Sequence, residues 1–109
     1  DGAMKQIARL PNLAQLEIYG GAITDEGMKH LVRCESLRTV NIREVDITDE
    51  GLAMWNEVAL PNVRSILIGD KGRVTKEGVT KLVHAFPSSS VFFANHRAWS
   101  REAQLNRPR

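Results

Sequence analysis

Apolar residues recur along the chain in two alternating arrangements. The first is a short run, apolar-x-x-apolar-x-apolar, seen at Leu13, Leu16 and Ile18, at Leu37, Val40 and Ile42, and at Val63, Ile66 and Ile68. A degraded copy follows at Ser88, Val91 and Phe93. Leu16-x-Ile18 and its counterparts alternate with period 2, which predicts short strands with one side toward a core. After each run the period changes. Met28, Leu31 and Val32 fall at helical spacing, as do Leu52 and Trp55, and then Val79, Leu82, Val83 and Phe86. These are the apolar stripes of helices packed on one side. Strand and helix therefore alternate along the chain.

Between strand and helix stands a second repeated element. Ile23-Thr24-Asp25-Glu26-Gly27 returns letter for letter at Ile47–Gly51, and Val74-Thr75-Lys76-Glu77-Gly78 is a third copy, at spacings of 24 and 27 residues. Thr24, Thr48 and Thr75 sit where an N-cap hydroxyl accepts from the first free helical N–H groups. Asp25-Glu26, Asp49-Glu50 and Glu77 place negative charge in the first turn, against the positive end of the helix dipole. Leu10-Pro11-Asn12 and Leu60-Pro61-Asn62 each stop a helix ahead of a strand. One strand-helix unit of this length cannot bury its own apolar faces. Stacking the units in a right-handed coil does so, with a parallel sheet on one side and helices on the other. Met4 and Ile7 keep the phase of Met28 and Leu31, so the chain opens inside the helix of an incomplete unit.

The two linked patterns, above all Leu13 to Ile18 with Ile23 to Leu31 and their copy from Leu37 to Leu52, resemble leucine-rich repeats of the ribonuclease-inhibitor-like or cysteine-containing type. The resemblance covers residues 4–95. It implies an α/β fold, a short curved solenoid with the parallel sheet on its concave side and the helices on its convex side. The expected organisation is a repeat domain over 1–95 (1–12 partial, 13–36, 37–62, 63–87, and 88–95 partial) followed by a basic tail or cap over 96–109. The position three after the last apolar residue of each strand is filled by Gly21, Val45, Lys71 and His96.

If the apolar strand positions face inward, their neighbours face out and line up as rows about 4.8 Å apart. Glu17, Asn41, Leu67 and Phe92 make the central row, and Tyr19 stands beside Arg43, a pair able to stack. An outward Leu67–Phe92 pair has no packing reason to be there unless something covers it. Tyr and Arg are enriched among interface hot spots. The six residues Tyr19, Arg43, Leu67, Phe92, Glu17 and Asn41 are the candidate binding face for a protein partner. The competing occupant of that face is the chain's own C-terminal segment folding back over Phe92.

Charge and candidate chemistry change this picture little. The net charge is +2, but His96 to Arg109 alone holds Arg97, Arg101, Arg107 and Arg109 against Glu102, which leaves the rest at −1. A nucleic-acid reading thus rests on the tail alone. Polyanion binding (RNA or an acidic surface) through those arginines is the alternative function, and an architectural segment of a larger repeat protein is a third. The tail has a structural reading too, with Trp99 and Leu105 lying across the last repeat as a cap. Asp46, Thr48, Glu50, Gly51 and Glu57 mimic an EF-hand spacing. The equivalent positions of the first copy, Ala22 and Arg33, carry no ligands, so capping explains the motif. His30, His84 and His96 are far apart, with His30 and His84 expected on helix surfaces, and Gly20-Gly21 reads as a turn. No nucleophile elbow or phosphate loop is present, so neither an enzyme nor a metal or cofactor site is expected. The single cysteine, Cys34, excludes an internal disulfide and fits an intracellular, cytoplasmic setting. No apolar run is long enough to span a membrane.

Overall fold

A computed structural model describes residues 12–20, 23–56 and 60–107. Residues 1–11, Gly21, Ala22, Glu57 and Arg109, which carry some of the expectations above, lie outside them. The elements alternate as the periodicity predicts: β1 (Gln15–Tyr19), α1 (Asp25–Leu31), β2 (Thr39–Val45), α2 (Asp49–Asn56), β3 (Ser65–Asp70), α3 (Lys76–Ala85), β4 (Ser90–Phe93) and α4 (Arg97–Leu105). The strands form one parallel sheet in the order β1-β2-β3-β4. Every contact between these elements joins chain neighbours or successive strands and helices.

The core follows from the alternation. Val40, Ile42, Ile68, Val91 and Phe93 are fully buried, with Leu16 and Ile66 almost so. They meet Met28, Leu31, Leu52, Trp55, Val79, Leu82 and Val83 from the helices, all fully buried as well. Trp55 is accommodated because its indole N–H donates to the Met28 carbonyl, 3.1 Å away. Cys34 is buried, with Sγ 3.8 Å from the Ser36 hydroxyl. No described helix is long and apolar enough to cross a membrane.

The repeated Thr-Asp-x-Gly does more than cap. Asp25 reaches forward to the next copy, accepting from Thr48 N at 2.9 Å and from Thr48 Oγ1 at 2.6 Å. Asp49 does the same to Thr75, at 3.0 and 2.5 Å. Each threonine hydroxyl in turn accepts from its own helix, Thr48 from Glu50 N and Thr75 from Gly78 N, both at 3.2 Å. The glycines leave room for the incoming acid, since a Cβ on Gly51 would overlap the Asp25 carboxylate and one on Gly78 that of Asp49. The expectation for Thr24 needs correction: it holds an extended N-cap conformation, but its side chain makes no capping bond to α1. In the third copy Lys76 replaces the aspartate, and its ammonium pairs with Glu102 of α4 at 2.9 Å.

The C-terminal segment is folded. Helix α4 packs against α3 and β4 and buries Ser100 and Ala103, with Trp99 partly buried against the core. Ser100 Oγ accepts from Phe93 N at 2.9 Å, and Gln104 Nε2 donates to Val91 O at 3.0 Å, so two side chains satisfy backbone groups of β4. His84, expected on the surface of its helix, is half-buried with Nε2 2.9 Å from the Ala103 carbonyl. Arg107 donates to the carbonyls of Val83, Phe86 and Ser89, closing the end of α3, and burial lowers its pKa. Of the two apolar residues expected to form a cap, Trp99 is partly buried against the core, whereas Leu105 is 79% exposed. A helix ending in polar contacts needs no leucine to seal it.

Candidate binding face

The outward strand positions form the rows that the sequence phase predicts. Glu17, Asn41, Leu67 and Phe92 pair across the four strands, and Tyr19, Arg43 and Gly69 form the next row. Parallel sheets usually bury both faces. Here Glu17 and Tyr19 are exposed, Asn41, Arg43 and Leu67 are half-exposed, and Phe92 keeps 37% of its surface. The described part of the tail leaves Phe92 open: α4 bonds to the edge of β4, and only Arg97 reaches the rim of the hollow over Phe92. The Arg43 guanidinium carbon lies 5.9 Å from the centre of the Tyr19 ring, a cation–π distance. Its Nε donates to Asn41 Oδ1 at 3.3 Å.

Two hollows open on this face. One, of about 490 Å³, has Tyr19, Arg43 and Glu44 as its wall and Gly69, Asp70, Lys71 and Asn95 beyond them. The other, of about 250 Å³, lies over Leu67, Phe92 and Phe93 with Arg97 at its rim, and Ala94 lines both. Their cause is a gradient of side-chain size. Tyr19 and Arg43 are large, whereas Gly69 and Ala94 leave the β3–β4 side low.

The carboxyl end of the sheet departs from the sequence phase. Spacing places Val45 level with Lys71, but the structure pairs Val45 with Asp70 because a bulge intervenes after Arg43. Glu44 in the bulge has φ 55°, a left-handed conformation costing about 1 kcal/mol or more in a residue other than glycine. Gly20 and Gly72, at φ 96° and 99°, carry the turns beside it without that strain. Asp70 faces inward by the same alternation that buries Ile66 and Ile68, its side chain wholly buried, and the extra residue in β2 turns Val45 inward beside it. Asp70 Oδ2 accepts from Gly72 N at 2.9 Å. The His96 ring lies across the carboxylate, Nε2 being 3.3 Å from Oδ1 and 3.4 Å from Oδ2, and only the Oδ2 contact has hydrogen-bond geometry. His96 also stacks on Trp99, with ring centres 4.2 Å apart and planes 9° from parallel.

Asp70, Lys71 and Asn95 are the residues of this site that sequence reasoning missed, and Arg97, read from sequence as part of a polyanion-binding tail, stands at its rim. The small outward residues Gly69 and Ala94 were the available signal for a hollow, and Asp70 continues the inward phase of Ile66 and Ile68, but the bulge that turns Val45 inward beside it has no sequence mark beyond a one-residue difference in spacing. Two of the calcium-like residues are engaged elsewhere: Asp46 pairs with Arg73 at 3.0 Å, and Thr48 with Asp25. Among the described residues no cluster of metal-ligating side chains forms. Comparison of the chain with models of protein families and with curated proteins finds no match.

Proposed function

We propose that the chain is a short leucine-rich-repeat solenoid, its sheet on the concave side, that recognises a partner protein through the open face of that sheet and has no enzymatic activity or cofactor of its own. The observation that carries this reading is the uncovered parallel sheet bearing Tyr19, Arg43, Leu67 and Phe92 side by side. Glu17 and Asn41 complete the surface. Large apolar and aromatic groups left open beside an arginine are the composition of an interface core.

Polyanion binding through the C-terminal arginines has less support. Arg107 is engaged with three carbonyls, and Arg97 lines the hollow over Leu67. Tail-driven binding to RNA would fall steeply with salt, whereas face-driven recognition would not. The test is a pull-down with the native domain, followed by Arg43→Glu and Leu67→Asp. Both variants lose the captured protein while their circular dichroism stays native. Full binding by both variants would move the site to the helical side or the tail.

A further inference from the structure

We infer, resting on that protein-recognition reading, that the open face takes an extended segment of the partner in which an apolar side chain stands two residues from a carboxylate side chain. The apolar group fills the hollow over Leu67 and Phe92. The carboxylate lies against Arg43, above Gly69.

The argument begins with Arg43. Its Nε donates to Asn41 and its guanidinium carbon lies 5.9 Å from the centre of the Tyr19 ring, so the side chain is already oriented before any ligand arrives. Its two terminal amino groups have no protein partner among the described residues. A half-buried guanidinium held this way is a fork matched to a carboxylate, able to make two charge-assisted bonds with little further loss of side-chain freedom. Gly69, next to Arg43 in the same row, leaves the space such a group requires.

The spacing of the two hollows fixes the rest. Leu67 and Gly69 are two residues apart on β3, roughly 6.7 Å along the strand. Alternate side chains of an extended segment have that same separation and point the same way. One segment aligned with β3 therefore presents its first side chain to Leu67 and Phe92 and its third to Arg43. Lys71 and Arg97 flank the two hollows and add positive charge. The three cations Arg43, Lys71 and Arg97 outnumber the two exposed acids of the face, Glu17 and Glu44. The Asp70 side chain has no exposure and is turned to Gly72 N and His96. Glu44 lines the same hollow as Arg43 but is exposed, where water weakens its field. A basic segment would instead meet Arg43, Lys71 and Arg97 together.

The test is a titration of the isotope-labelled protein, followed by amide shifts at low salt. The probes are three blocked threonine pentapeptides with leucine second and glutamate, glutamine or lysine fourth. The glutamate peptide shifts the amides of Arg43, Gly69 and Phe92 and binds on the order of tenfold tighter than the glutamine peptide, with lysine weakest. Arg43→Gln removes the difference between glutamate and glutamine but keeps the leucine-dependent shifts. Gly69→Val, a strand-compatible change that fills the hollow, weakens the glutamate peptide. Equal binding of glutamate and glutamine, a preference for lysine, or no shift on this face at millimolar peptide overturns the inference. If all three peptides bind the face equally and Leu67→Asp abolishes them, the carboxylate is wrong and the face stands. If the native partner still binds both Arg43→Glu and Leu67→Asp, the face itself is wrong.

Discussion

Gly51 and Gly78 lie inside the first turns of α2 and α3, where alanine would ordinarily stabilise a helix by about 0.5–1 kcal/mol. Here the sign reverses. An added methyl occupies the place of the Asp25 or Asp49 carboxylate, so Gly51→Ala is expected to destabilise by roughly 1–3 kcal/mol in denaturant titration. The same substitution made with Asp25→Ala recovers the helix-propensity gain, and the coupling in that double-mutant cycle identifies the clash as the cause. A Gly51→Ala variant more stable than the native chain would show that the acid has somewhere else to go. Asp49→Ala alone leaves Thr75 N and Oγ1 without their acceptor and is expected to cost about 1–2 kcal/mol, with or without calcium. A calcium-dependent rise in the native melting temperature would contradict the capping explanation. The sequence shows the repeated Thr-Asp-x-Gly but not this role. An aspartate in a first turn is already accounted for by the helix dipole, and nothing local says that it reaches 23 residues ahead. The legible hint is the glycine, which recurs in a helix where it needs a reason.

At the scale of the element, α4 shows how an edge strand is closed by polar groups. Ser100 and Gln104 occupy the backbone donor and acceptor of β4 that a further strand would otherwise take. Ser100→Ala is therefore expected to cost about 1–3 kcal/mol, since Phe93 N–H is left buried and unpaired. Leu105→Ala, the more drastic change by hydrophobicity, is expected to stay within about 0.5 kcal/mol because the side chain is in water. Thermal unfolding of the two variants compares them directly. The reverse order would place Leu105 under a contact that the structure lacks. The strands and α1–α3 were legible from their apolar periods, which depend only on which side faces the core. The cap was legible in kind but not in mechanism. Sequence favoured its large apolar residues, whereas a serine and a glutamine seal the edge and Arg107 closes the end of α3, all through backbone partners that leave no pattern in the side chains.

Across the whole molecule, the outward rows were readable because parallel strands in phase bring equivalent residues level, and Glu17, Asn41, Leu67 and Phe92 follow that phase. The hollows were not readable, because their depth depends on the Glu44 bulge and on which neighbours stay small. The same consecutive architecture bears on stability. Described elements touch only the adjoining element or the next strand or helix along the chain, and on the solenoid reading stability is a sum of units and the interfaces between them. Removing residues 97–109 takes away the cover of Val91 and Phe93, the partners of Phe93 N and Val91 O, and the arginine that closes α3. The truncated chain is expected to melt at a lower temperature. Its native-state hydrogen exchange should be graded, with amides of β4 and α3 losing protection first and those of β2 and α2 keeping most of theirs. The fully buried Val40, Ile42, Leu52 and Trp55 hold that inner region together without help from α4. Equal loss of protection from β1 through β4 would mean that the domain opens as one cooperative block. That outcome would remove the stacked-unit account of its stability, while an unchanged melting temperature would show that α4 contributes nothing to the fold and is free for a partner.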